Sequence, residues 1–135
     1  MVQIGKQDGV TTLILNRPKQ RNALDAGVIQ GLIQAIEEAE ADAATRCLVI
    51  RGAGGNFCAG RDLSMAPERD LGAALAADES WTKVIRLLHR LSKPSVAVVE
   101  GYAVAGGFTL AMICDFVLAE DGAHFGALEM RRNFP

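Results

Sequence analysis

Aromatic residues are scarce in this 135-residue chain: one Trp, one Tyr and five Phe, 5% in all. That supply is too thin for the stacked aromatic platform that grips unpaired bases. A basic surplus is missing too. Lys and Arg number 14 against 16 Asp and Glu, a net charge of -2, so no bulk positive field invites nucleic acid. The three cysteines, Cys47, Cys58 and Cys114, are odd in number and scattered, with no Cys-x-x-Cys pair. They make neither a disulfide framework nor a zinc site, and they fit a reducing, cytoplasmic compartment. The longest apolar run, Gly101 to Cys114, is bounded by Glu100 and Asp115 and falls short of a membrane span. The opening residues Met1–Lys6 lack the apolar stretch of a signal peptide. These absences predict a soluble cytoplasmic protein with no metal, no membrane and no nucleic-acid partner.

What is present is enough for one domain with a real core: 50% hydrophobic and 22% charged residues. Asp8-Gly9 between the β-rich runs Ile4–Lys6 and Val10–Leu15 is a strong hairpin signal. Asp25 is placed to cap a helix. Val28, Ile29, Leu32, Ile33 and Ile36 then recur at helical spacing, predicting an amphipathic helix to about Asp42. Cys47–Ile50, Ser95–Val99 and Phe116–Ala119 read as short strands, with a further small strand at Ala123–Gly126. Glu79–Leu91 carries Trp81, Val84, Ile85, Leu88 and Leu91 on one face, a second amphipathic helix. Met65 to about Asp78 is Ala-rich with Pro67 and mixed charge, and reads as a loop or short helix. The order predicts an α/β fold in which a strand–strand–helix cycle recurs.

Two glycine-bearing segments carry the chemistry. Gly101, Gly106 and Gly107 lie between the strand Ser95–Val99 and the apolar run Phe108–Cys114. The first N–H groups of a helix have no internal partner and carry the positive end of its dipole, so a negative oxygen is stabilised there. The ordinary alternative is a tight turn that needs glycine for packing. The second segment, Gly52 to Leu63, has four glycines in nine residues and lacks the Gly-Lys-Ser/Thr ending of a phosphate-binding loop. Ala59-Gly60-Arg61-Asp62 can offer another backbone N–H, while Asp62 also suits a helix cap. Arg17, Lys19 and Arg21 form either a solvated basic turn or a phosphate-facing patch. His89 has no second metal-ligand type at helical spacing. Cys58 reads as a small packing residue.

Three stretches taken together, Asn16-Arg17-Pro18 to Leu24, Asn56 to Leu63, and Lys93 to Asp115, closely resemble the crotonase, or enoyl-CoA hydratase/isomerase, superfamily. The resemblance implies a crotonase-like spiral of ββα units and a coenzyme A thioester as substrate, with no permanently bound cofactor. It also implies homotrimers or hexamers built as dimers of trimers. It places residues 1–135 as a single crotonase-like core, apparently truncated, with the family's C-terminal helical part missing. By position, it assigns the oxyanion-hole donors to the main-chain N–H groups of Arg61 and Gly106, with Ala105 replacing the family's first glycine. It places Lys19, Arg21, Ala23, Leu24, Ala59, Gly60, Asp62 and Leu63 along the coenzyme A path.

The acid/base positions decide the reaction. Hydratases of the family use two glutamates. The first position is Thr109 here, and threonine cannot serve as a carboxylate at neutral pH. The second corresponds to Glu129, in Phe125-Gly126-Ala127-Leu128-Glu129. One carboxylate can move a proton between carbons, so the pattern resembles double-bond isomerases most. The alternatives are a catalytically inactive protein that binds acyl-CoA or a partner, and a hydratase using Glu129 with a water held by Thr109.

Overall fold

The computed structural model describes residues 1–62 and 71–127. β1 (Val2–Gln7) and β2 (Val10–Leu15) pair antiparallel from Val2 opposite Leu15 to Gln7 opposite Val10. Asp8 and Gly9 turn between them at φ 52° and 83°, the left-handed pair that matches strand twist. Alternation along β2 buries Thr11, Leu13 and Leu15. α1 (Ala26–Ala41) starts where its cap predicts: the Asp25 carboxylate accepts from the Val28 N–H at 2.8 Å. Its buried stripe of Val28, Ile29, Leu32, Ile33, Ile36 and Ala39 lies in the core with Leu13, Leu15, Leu48, Ile50 and Val99 of the sheet.

β3 (Cys47–Gly52), α2 (Leu71–His89), β4 (Ser95–Val99), β5 (Tyr102–Val104), α3 (Gly106–Ile113), β6 (Phe116–Ala119) and β7 (His124–Gly126) follow. The larger sheet has the order β1-β2-β3-β4-β6, parallel from β2 onward. β5 and β7 pair parallel in a second, smaller sheet. Cys58, just after β3, forms a parallel bridge to Ala103 of β5 and so extends this second layer. Each strand of the first layer from β3 onward is thus followed by a partner in the second. This is the strand–strand–helix recurrence expected from sequence, laid out as a two-walled spiral.

Two elements differ from expectation. α2 begins at Leu71 rather than Glu79 and ends at His89 rather than Leu91. Its first turns, Leu-Gly-Ala-Ala-Leu-Ala-Ala, have good helix formers, but Leu71 and Leu75 stay exposed, so no amphipathic period marks them. β5 was not expected. Its three residues form a strand through pairing with β7 and Cys58, distant in sequence, and not through local pattern. Among the described residues no helix is long and apolar enough to cross a membrane.

Candidate active site

The second wall brings the two glycine-bearing segments together. At the Leu24–Arg61 parallel bridge, the Leu24 N–H donates to the Gly60 carbonyl at 2.7 Å and the Asp62 N–H to the Leu24 carbonyl at 3.0 Å. In such a bridge the central residue turns its own N–H away from the partner strand. The Arg61 N–H is turned this way and has no acceptor among the described residues. The Gly106 N–H opens α3, where no carbonyl lies one turn back, and it too has no acceptor among the described residues. Its neighbour Ala105 is occupied, donating to the Gly126 carbonyl at 2.8 Å.

Direct backbone packing brings together the two segments that carry these donors. A Cβ on Gly60 would fall 2.8 Å from the Ala105 Cβ and 3.1 Å from the Gly106 nitrogen, and Gly60 sits at φ +90°. Only glycine allows both the approach and the dihedral. A Cβ on Gly107 would fall 2.1 Å from the Cys58 carbonyl oxygen, so α3 and the loop after β3 touch backbone to backbone. Leu24 Cδ1 and Trp81 Cζ2 lie 3.4 and 3.5 Å from where a Gly106 Cβ would be, giving the donors an apolar surround. Two free N–H groups in such a setting suit an oxygen that gains negative charge. Ala105 holds φ 52° and ψ -123°, a conformation that strains any residue with a Cβ.

The Arg61 guanidinium takes no part in this arrangement. It reaches Asp78 of α2 at 2.9 Å, leaving the main chain as donor. Arg17 lies inward, not in a solvated patch. Its Nη1 donates to the Ala23 carbonyl at 2.8 Å and to the Asp62 carboxylate at 3.1 Å, and lies 3.5 Å from the Asp25 carboxylate. Asp62 is therefore an ion-pair partner of Arg17. Buried Asn22 braces the same loop: its side-chain carbonyl accepts from the Arg17 N–H, and its amide donates to the Ala53 and Asn56 carbonyls. Sequence reasoning did not single out Arg17 or Asn22 for this work. The signal was weak, because the distant partners, Ala53, Asn56 and Asp62, sit 31 to 45 residues away.

The other sequence candidates divide into three groups. Ala23 and Leu24 are buried, and Ala59 is half-buried with its N–H on the Arg21 carbonyl. Lys19 and Arg21 are exposed. Arg21 lies 5.5 Å from the centre of the Tyr102 ring, which stacks on His124 at 4.9 Å. Thr109 is exposed in the first turn of α3. Leu63 and Glu129 lie outside the described residues. Cys58 is buried, and burial pushes its thiol up to about 12, against a smaller opposing effect of the Gly60 N–H. A nucleophile needs the thiolate, so Cys58 stands as a packing residue. No group of three His, Cys, Asp or Glu among the described residues could hold a metal ion.

Comparison with known proteins agrees with this fold. The family model for enoyl-CoA hydratase/isomerase matches residues 5–132. The chain is 37% identical to 2,3-dehydroadipyl-CoA hydratase of Escherichia coli, across 94% of this chain and 49% of that protein. It is 36% identical to 1,2-epoxyphenylacetyl-CoA isomerase of the same organism, across 88% and 47%. The crystal structure of an enoyl-CoA hydratase from Mycobacterium smegmatis superposes with a TM-score of 0.93 at 31% identity, covering 98% of this chain and 52% of that one. The chain spans about half the length of the curated relatives it matches. A hydratase and an isomerase stand at nearly equal identity, so the reaction has to be argued from individual residues. With the two-walled spiral, the similar solved structure and the matched family model in agreement, the chain belongs to the enoyl-CoA hydratase/isomerase family.

Proposed function

We propose that the chain activates the thioester of an acyl-CoA for an enzyme reaction, and that the reaction is a double-bond shift. The observation that carries the reading is the pair of unpartnered N–H groups, Arg61 and Gly106, held together by the Gly60 contact. They would receive the thioester oxygen. Removing a proton from C2 of a 3-enoyl thioester sends the electron pair onto that oxygen as a dienolate. Returning a proton at C4 re-forms the carbonyl and leaves the 2-enoyl thioester. One acid/base group is enough for both transfers. Glu129 is that group in this reading. Thr109, where a hydratase of the family carries its other glutamate, favours proton transfer over water addition.

Lys19 and Arg21 are exposed cations beside this platform and would face the coenzyme A phosphates, with Ala59, Gly60, Asp62 and Leu63 along the same path. Assembly into trimers or hexamers in the cytoplasm belongs to the same proposal. Met112, Phe116 and Leu118 are exposed apolar surface of the kind an assembly covers.

The test offers the purified protein a 3-enoyl-CoA and a 2-enoyl-CoA. The reading expects the 3-enoyl thioester to become the 2-enoyl isomer with little 3-hydroxyacyl product. Dominant hydration of the 2-enoyl thioester would assign a hydratase with water held at Thr109. Tight acyl-CoA binding without turnover would assign a binding protein.

A further inference from the structure

We propose that Trp81 is a specificity-determining residue of the acyl site: its indole edge walls the space beside the Gly106 N–H and favours a thioester that is unbranched next to its carbonyl over one branched there. The inference rests on the oxyanion-hole reading above and adds the acyl shape that the site selects.

α2 brings Trp81 to the donor. Its Cζ2 stands 3.5 Å from where a Cβ of Gly106 would be. A Cβ lies about 2.5 Å from its own backbone nitrogen, so the indole edge is within about 6 Å of the Gly106 donor. Leu24 Cδ1, at 3.4 Å from the same point, is fully buried. Trp81 is only half-buried, so it keeps surface that a ligand can cover.

The turn of α2 that carries Trp81 touches both donor residues. Asp78, one turn back, meets the Arg61 guanidinium at 2.9 Å, while Trp81 packs on the main chain of Gly106. The turn is tied to α1 on either side of Trp81: Gln30 Nε2 donates to Ser80 Oγ at 3.3 Å, and Lys83 lies 3.8 Å from Glu37. Val84, the next residue on the buried face, is sealed in the core. A large rigid ring with two side-chain torsions, held this way, yields little to a bulkier ligand.

Placement says which arm of the thioester meets this wall. α2 packs on α3, which opens at Gly106 and carries Thr109 one turn on, the position of an acid/base glutamate in hydratases of the family. Lys19 and Arg21, the cations set against coenzyme A, belong to the segment that ends at Leu24. Trp81 thus stands toward the acyl arm and Leu24 toward the coenzyme A arm. With the thioester oxygen on the Gly106 N–H, C2 lies about 2.4 Å from that oxygen. A methyl branch on C2 reaches one bond further, toward the indole edge.

Trp81 is the only tryptophan, so tryptophan emission reports on this position alone. An unbranched saturated acyl-CoA should change that emission in the unsubstituted protein, and coenzyme A without an acyl group should leave it nearly unchanged. Calorimetry then compares the unbranched thioester with its 2-methyl counterpart. The unsubstituted protein is expected to bind the unbranched one at least about 10-fold more tightly. In Trp81→Ala, shown to be folded by circular dichroism, that ratio should fall below about threefold. A residue that only filled the core would weaken both thioesters alike and leave the ratio as it was. An unchanged ratio in folded Trp81→Ala therefore overturns the proposal. Equal binding of the two thioesters by the unsubstituted protein overturns it too, as does acyl-CoA binding without a change in emission. If Trp81→Ala does not fold, Trp81→Phe decides: its smaller ring should lower the ratio, and an unchanged ratio again overturns the proposal. An unsubstituted protein that binds neither thioester would instead overturn the oxyanion-hole reading, and this inference with it.

Discussion

The platform around Gly60 and Gly107 and the hairpin end around Gly5 and Lys6 are both built from glycine, short strands and charged side chains, yet they tolerate change very differently. At the platform a new Cβ meets backbone: 2.1 Å from the Cys58 carbonyl at Gly107, 3.1 Å from the Gly106 nitrogen at Gly60. At Gly5 of β1 a new Cβ meets nothing within 4 Å. The polar groups differ too. On the hairpin side Asp42 accepts from Lys6, Thr45 and the Ala44 N–H, so its capacity is used within the chain. On the platform two N–H groups are left without acceptors among the described residues. Close backbone packing with unused donors is the mark of a place that waits for a ligand.

The sharpest break in that comparison is Gly107→Ala. A backbone carbonyl oxygen 2.1 Å from the new Cβ cannot move aside cheaply, so a loss of about 3 kcal/mol or more in unfolding free energy is expected by denaturant titration. Gly5→Ala should change stability by less than about 0.5 kcal/mol in the same assay. If the two substitutions cost the same, the contrast between the regions is wrong.

Gly60→Ala comes next. It adds strain at φ +90° to a clash with Ala105, for about 2 kcal/mol. It should also weaken binding of a polarised thioester by more than that stability loss explains, because the two donors would separate. Ala105→Gly runs the other way. Releasing the Cβ from φ 52° and ψ -123° is expected to raise stability by about 1 kcal/mol, once the entropy of the extra glycine is subtracted. A lower melting temperature for Ala105→Gly would show that the Ala105 methyl packs favourably on Gly60.

How much of this was legible in the sequence depended on range. α1 declares both ends locally: the Asp25 cap, a buried stripe at helical spacing, and Asp42 closing it. Asp8-Gly9 likewise fixes the β1–β2 register within a few residues. β5 does not, because Tyr102–Val104 becomes a strand only through Cys58 and β7. The donors were found through a resemblance spread over three segments. The inward turn of Arg17 escaped, since nothing near Asn16-Arg17-Pro18 announces an acid 45 residues later. Three cations within five residues looked like one patch, and the fold divides them: Arg17 turns inward, while Lys19 and Arg21 stay exposed.

Cysteine chemistry tests the platform's interior. Burial pushes Cys58 up to about 12 and Cys114 to about 11, so both thiols stay protonated at pH 8.5. Alkylation of the folded protein read by mass spectrometry should spare both. Fast modification of Cys58 would mean that the loop after β3 opens, and that the Gly60 contact with Ala105 is transient.

The smallest effect is expected at the hairpin end. The Ala44 N–H first, then Lys6 and Thr45, hold the Asp42 carboxyl down at about 2, against an ordinary aspartate near 3.9. A group depressed on folding stabilises above its unfolded value, and that stabilisation fades as pH falls toward the folded one. Asp42→Asn should therefore lower the melting temperature slightly at pH 6, with the difference narrowing below about pH 4 and closing near pH 2. If Asp42→Asn also altered thioester polarisation, the two ends would be coupled, and the division between a closed hairpin end and an open platform would have to be redrawn.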